Sequence, residues 1–148
     1  MINVGIVGAS GYSGRELLDI LLSHPQIRVT YVGAHNTTGS LTELWPELSG
    51  RTRLYCEKYS LQSAVEKCDL VFLAVPHTSS MAITPELLRA GIKVIDLSGD
   101  YRLKSKKIYK EWYGASHTDA SNIRKAVYGL PELYRKKKKK AKLLTNPG

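Results

Sequence analysis

The 148-residue chain holds only two cysteines, one phenylalanine, two methionines and two tryptophans. Cys56 and Cys68 lie in different segments with no metal-ligand spacing, which excludes a disulfide-stapled secreted domain; both thiols are expected to be reduced and buried. The four histidines, His24, His35, His77 and His117, form no pair at the spacing of a helical metal site, so no metal site is expected. No apolar stretch approaches the roughly 20 residues of a membrane helix. Met1-Ile2-Asn3 leads into a short apolar run, without the basic segment and long apolar core of a signal peptide. A cytoplasmic protein without membrane partners is therefore expected. There is no internal repeat and no low-complexity linker.

What is present is an ordinary globular composition, 43% hydrophobic and 24% charged, which excludes a disordered chain and suits one domain. The formal net charge of +9 is concentrated in one place. Arg135 to Lys140 is an unbroken basic run and Lys142 follows; without these seven cations, 15 positive charges face 13 negative ones. Aromatic residues do not interleave with the lysines as a single-strand stacking platform requires. The run reads as a solvated helix face or tail, and nucleic acid is not expected as a partner.

The first forty residues have a clear order. Ile2, Val4, Ile6 and Val7 make a β-like run, residues 8–14 are glycine-rich, and residues 16–23 carry Leu17, Leu18, Leu21 and Leu22 at helical spacing. His24-Pro25 stops that helix, and Ile27, Val29 and Tyr31 alternate as a second strand. The pattern returns downstream. Residues 69–75 (DLVFLAV) read as a strand buried on both faces, 81–90 as a helix closed by Gly91, and 93–97 (KVIDL) as the next strand. Pro131 opens a short helix through the lysine run and Leu143-Leu144-Thr145 a last strand, while residues 36–60 and 102–126 show no clear element. Strands alternating with helices predict a Rossmann-like, doubly wound α/β fold, a mostly parallel sheet with helices on both faces.

Three sites follow. GASGYSG, with Gly8, Gly11 and Gly14 around Ser10, Tyr12 and Ser13, sits between a strand and a helix. Glycines there permit a tight turn and let a pyrophosphate approach backbone N–H groups at a helix N-terminus. The spacing is G-x-x-G-x-x-G rather than the commoner G-x-G-x-x-G, so its strand-loop-helix setting carries the assignment. At the end of the second strand, residues 33–39 contain no Asp or Glu to take a ribose 2′-hydroxyl. His35, Asn36 and Thr37 offer donors to a 2′-phosphate, which favours NADP. The third site is the pair of loops AVPHTSS (74–80) and DLSGDYR (96–102), where Pro76 and His77 could wall the nicotinamide side and Ser98 and Arg102 could meet an anionic substrate.

GASGYSGRELL, FLAVPHTSS, VIDLSGDYRL, VYGLPELYR and NPG occur in this order along nearly the whole chain. Together they resemble the N-acetyl-gamma-glutamyl-phosphate reductase family of arginine biosynthesis. Thr78 stands where that family commonly has Gly, Gly99 where it commonly has Ala, and the lysine run is unusually dense. The resemblance implies a two-domain, NADPH-dependent and homo-oligomeric enzyme acting on a small acyl phosphate. A cysteine thiolate displaces phosphate, and the resulting thioester is reduced to the semialdehyde.

In that family the cysteine follows NPG directly, so neither Cys56 nor Cys68 stands in the nucleophile's context. Residues 1–148 are then expected to be the NADP-binding domain, with the catalytic and oligomerisation domain outside this chain and no turnover by the chain alone. The alternatives are the same half of a lysine-biosynthesis aminoadipyl-phosphate reductase, or a non-catalytic dinucleotide-binding module whose basic segment meets an acidic partner. Aspartate-semialdehyde dehydrogenase shares the chemistry, but DLSGDYR and YGLPELYR fit it poorly.

Overall fold

A computed structural model describes residues 1–147. It divides into two compact units, Met1–Ala74 and Val75–Gly148.

In the first unit, strand β1 (Ile2–Val7) leads through the glycine loop into helix α1 (Tyr12–Leu22) and strand β2 (Ile27–Ala34). β1 and β2 pair in parallel, with Ile2 opposite Ile27 and Val7 opposite Gly33. The leucines at helical spacing drive the packing. Leu18 and Leu21 are buried against Val4, Ile6, Val29 and Val32, and burying a leucine contributes about 1.5–3 kcal/mol. The helix starts at Tyr12, four residues before the segment 16–23 that carries its leucines, so the second half of GASGYSG is its first turn. Residues 36–60 are more regular than their polar sequence suggests. Strand β3 (Gly39–Ser40), helix α2 (Leu41–Leu44), a 3-10 turn (Pro46–Leu48) and strand β4 (Tyr55–Lys58) bury Leu41, Leu48 and Cys56 in the same core. Helix α3 (Leu61–Lys67) then returns the chain to strand β5 (Leu70–Leu73). The strand order in this unit is β3-β4-β2-β1-β5, with only β3–β4 antiparallel among its described pairs.

The second unit contains helix α4 (Ser80–Arg89), strand β6 (Lys93–Asp96), helices α5 (Lys106–Tyr113) and α6 (Ala120–Lys125), strand β7 (Val127–Tyr128), helix α7 (Pro131–Lys138) and strand β8 (Leu143–Thr145). The order is β6-β8-β7, all parallel. Gly91 closes α4 with a left-handed φ of 87°, as its place after the helical pattern predicts. Residues 102–126 carry two helices unread in the sequence. Each has a side-chain cap: Ser105 accepts from the Ile108 N–H, and Asp119 from the Asn122 N–H. The predicted helix through the lysine run is α7, bent at Tyr134.

The core of this unit is partly polar. Tyr101, Tyr109 and His117 are buried with their rings edge to face, at centroid distances of 5.2 Å and 4.9 Å from His117. The Rossmann-like, mostly parallel α/β class is thus the fold of the chain. Among the described residues, no helix is long and apolar enough to cross a membrane.

Candidate functional site

The glycine loop stands at the carboxyl ends of two parallel strands, the edge where open α/β sheets bind ligands. Gly8, with a φ of 96°, donates its N–H to the Gly33 carbonyl at 2.7 Å, tying the start of the loop to the end of β2. That bond fixes the neighbourhood of His35, Asn36 and Thr37, since β2 ends one residue before His35. Gly14 is buried under the loop. A Cβ there would lie 2.3 Å from the Gly8 carbonyl oxygen and 2.6 Å from the Ala9 Cα, so only glycine lets the first turn of α1 pass so close to the loop. At Gly11 the same atom would meet only the Gly8 oxygen, at an ordinary 3.6 Å.

Ser10, Gly11, Tyr12 and Ser13 are exposed around an N-terminus that no side chain caps and whose first turn carries no acid. The first N–H groups of a helix have no intrahelical partner, and the dipole favours negative charge beside them. An N-terminus of this kind is suited to an anionic group such as a phosphate. Arg15 is not free for that ligand, because Glu16 and Glu47 hold its guanidinium. A support that carries no sequence signature is Trp45, whose Nε1–H donates to the Ala9 carbonyl at 3.1 Å and whose ring lies 6.4 Å from that of Tyr12.

At the second-strand end, His35 and Asn36 are exposed and Thr37 is half-buried. The acids just downstream are engaged elsewhere: Glu43 accepts from the Ser40 N–H and Glu47 pairs with Arg15.

In the second unit, the loops after residues 75 and 96 are knotted together by Asp100. Its buried carboxylate accepts from the Thr78 N–H at 2.9 Å, the Met81 N–H at 3.1 Å and the Tyr109 hydroxyl at 2.7 Å. Pro76 and His77 are exposed on this knot, and His77 Nδ1 accepts from the Gly99 N–H at 3.3 Å, which fixes the ring against Tyr113. Gly99 and Tyr113 fit each other, since a Cβ at Gly99 would lie 2.4 Å from the Tyr113 hydroxyl.

Thr78 has a φ of 72°, a conformation that costs a β-branched residue about 1–2 kcal/mol. Glycine, which the resembled family commonly has there, removes that strain at a smaller entropic cost. Thr78→Gly is expected to raise the melting temperature by about 2–4 °C. A melt at or below that of the parent chain would show that the threonine side chain stabilises the loop.

Ser98 lies inside the loop: buried, its hydroxyl donates to Asp96 Oδ2 at 2.9 Å and accepts from the Asp100 N–H at 3.1 Å. Desolvation raises the carboxyl of Asp96 above its usual range, against the hydrogen bonds from Ser80 and Ser98. In this arrangement the Ser98 hydroxyl holds the turn between Asp96 and Asp100. Arg102 is half-exposed, and its guanidinium donates to the carbonyls of Asn146 at 2.9 Å and Leu97 at 2.8 Å, bridging the carboxyl ends of β6 and β8.

Behind the knot, Tyr101 donates to Asp119 at 2.7 Å. Burial and this bond push the phenol of Tyr101 up. Burial would raise Asp119 too, but bonds from Tyr101 and Asn122 outweigh it and hold the carboxyl below its usual range. Burial holds the imidazole of His117 below its usual range. Both thiols are buried, and desolvation raises each; neither is presented for attack. No group of three or more potential metal ligands is present among the described residues.

Residues 3–141 match the family described as semialdehyde dehydrogenase, NAD binding domain. Over 147 residues, 99% of this chain and 43% of the relative, the sequence is 51% identical to an N-acetyl-gamma-glutamyl-phosphate reductase of Sulfurimonas denitrificans. It is 46% identical over 149 residues, 100% of this chain and 43% of the relative, to a LysW-L-2-aminoadipate/LysW-L-glutamate phosphate reductase of Sulfurisphaera tokodaii. The chain thus spans less than half the length of these relatives. A crystal structure of aspartate semialdehyde dehydrogenase II from Vibrio cholerae superposes on the whole chain and 42% of its own, with a TM-score of 0.66 at 14% identity.

Proposed function

The chain belongs to the semialdehyde dehydrogenase NAD-binding domain family, and on that premise we propose that it is the NADP-binding portion of an N-acetyl-gamma-glutamyl-phosphate reductase. The observation that carries the cofactor reading is the uncapped, acid-free N-terminus of α1, packed against the Gly8 carbonyl through Gly14. Its N–H groups neutralise a pyrophosphate. The choice of NADP rests on residues 33–39, which hold no carboxylate to repel a 2′-phosphate and expose His35 and Asn36 to bind one.

Bound NADPH supplies the hydride for a semialdehyde-forming reduction. The protein's own part is positioning. Asp100 holds the His77 loop by two backbone N–H groups, so Pro76 and His77 present one fixed wall to a nicotinamide. Arg102, clamped to the Asn146 carbonyl, keeps a cation beside the start of NPG, the motif after which the resembled family carries its nucleophile. There it meets the departing phosphate of an acyl-phosphate substrate. Cys56 and Cys68 take no part, and the nucleophile and the homo-oligomer contacts belong to segments outside residues 1–148.

Calorimetry on the chain is expected to show NADPH binding at least about tenfold tighter than NADH, a difference of about 1.4 kcal/mol. His35→Asp should narrow that gap by placing a carboxylate against the 2′-phosphate. Equal affinities in the parent chain, or a preference for NADH, would overturn the cofactor assignment. A second reading is favoured by the 46% identity to the Sulfurisphaera tokodaii reductase: the same cofactor half serving a lysine-pathway acyl phosphate. Activity of a full-length parent protein on N-acetyl-glutamyl phosphate against an aminoadipyl phosphate separates the two.

A further inference from the structure

A cavity of about 840 Å³ opens in the second unit, lined by residues of α4, α6 and α7 and the approach to β8 and including none of the loop residues 76–80 or 96–102. Its volume falls within the roughly 300–1,000 Å³ usual for small-molecule sites. Five cations line it: Arg89, Lys125, Lys137, Lys140 and Lys142. The one acid in the lining, Asp119, already accepts from Tyr101 at 2.7 Å and from the Asn122 side chain at 2.8 Å. Among the described residues, none of the five cations forms an ion pair.

The convergence is tertiary. Lys137, Lys140 and Lys142 come from the basic run, whereas Arg89 ends α4 and Lys125 ends α6. Arg135, Lys136 and Lys139 belong to the same run, are exposed, and lie outside the lining. Like charges gathered in one concavity repel, and low-dielectric walls focus their field on whatever enters. Side chains such as Pro85, Leu88 and Leu143 give the same cavity an apolar surface.

We propose that this cavity binds a small molecule carrying two or more phosphate groups on an apolar body, at a site separate from the glycine loop. The cations take the phosphates, and the apolar side chains take the body.

The test is calorimetry on the 148-residue chain with metal-free ATP and inorganic pyrophosphate as probes, with and without saturating NADPH. ATP is expected to bind in the presence of NADPH, more tightly than pyrophosphate, and to weaken as salt rises. The double variant Lys125→Glu/Lys142→Glu should lose at least about tenfold in ATP affinity while NADPH binding is retained. Arg89→Gln, a milder change, should weaken ATP by a smaller factor, with circular dichroism confirming the fold of each variant. Lys136→Glu, the same charge change outside the cavity, should leave ATP binding within about twofold.

Complete displacement of ATP by one equivalent of NADPH would place the phosphates at the glycine loop and overturn the proposal. So would equal losses in the cavity and Lys136 variants, equal affinities for ATP and pyrophosphate, or tighter binding of a single-stranded oligonucleotide than of ATP. Failure of NADPH to bind the parent chain would count against the cofactor reading alone, since the ATP arms without NADPH stand independently of it.

Discussion

Gly14→Ala is expected to cut NADPH affinity by about 100-fold or more, equivalent to about 2.7 kcal/mol. The added carbon would sit 2.3 Å from the Gly8 oxygen and 2.6 Å from the Ala9 Cα, and both neighbours are backbone. No rotamer change can relieve such a contact, so the loop and the first turn of α1 must part. Overpacking of this kind costs about 1–3 kcal/mol in stability. The larger effect falls on binding, because parting moves the N–H groups away from the phosphates they would hold. Gly11→Ala is the matched control. Its carbon meets the Gly8 oxygen at 3.6 Å and its backbone is extended, with φ −92°, so the fold should stand within about 1 kcal/mol of the parent. Calorimetric titration and thermal melts of both variants decide the matter. Unchanged NADPH affinity in Gly14→Ala would remove the glycine loop from the cofactor site.

Asp100→Ala is expected to be the most destabilising substitution in the second unit, by about 3–5 kcal/mol, or about 10–15 °C in the melting temperature. Asp100 is fully buried, and its two oxygens satisfy the Thr78 and Met81 N–H groups and the Tyr109 hydroxyl. Alanine leaves all three donors without a partner, and an unsatisfied buried donor costs about 1–3 kcal/mol. Asp100→Asn should lie between the two, because one oxygen is exchanged for a donor that faces other donors. Tyr109→Phe removes a single bond and should cost about 1 kcal/mol. The same substitution of Asp100 frees the backbone at Thr78, so the His77 loop should lose protection from hydrogen exchange before the strands do. An Asp100→Ala chain melting within about 3 °C of the parent would show that water replaces the carboxylate and that the knot is not structural.

How far the sequence could be read depended on how each element is stabilised. The unit from β1 to β2 was legible because its driving force is apolar and periodic: the leucines of α1 and the alternation in β2 announce which faces are buried. The leucine pattern predicts the start of α1 four residues late, because Tyr12, Ser13 and Gly14 form a first turn that carries no leucine. Helices α5 and α6 are hard to read from sequence because each buries a single side chain, Tyr109 in one and Ile123 in the other, among mostly polar residues. The signals were present, however: Ser105 and Asp119 are cap residues, and Tyr109 and Tyr113 stand four apart on one face.

The site divides in the same way. The glycine loop was readable because backbone proximity demands glycine at fixed spacing. The orientation of Ser98 is not legible in the sequence, because a hydroxyl in a loop can face a ligand or a neighbouring carboxylate equally well, and only the folded chain brings it to Asp96. Trp45 and Asp100 act through contacts with residues distant in the chain, at Ala9 in one case and at Thr78 and Met81 in the other.

By itself the sequence determined the α/β alternation, the glycine loop between β1 and α1, the acid-free end of β2 and the family, because these depend on residue type, order and local spacing. Only the tertiary structure decided that Ser98 turns inward, that Asp100 ties two loops, and that Arg89 and Lys125 join part of a lysine run around one cavity. Those outcomes depend on which side chains meet after the chain has folded, and no local pattern encodes the direction in which a hydroxyl, a carboxylate or an ammonium finally points.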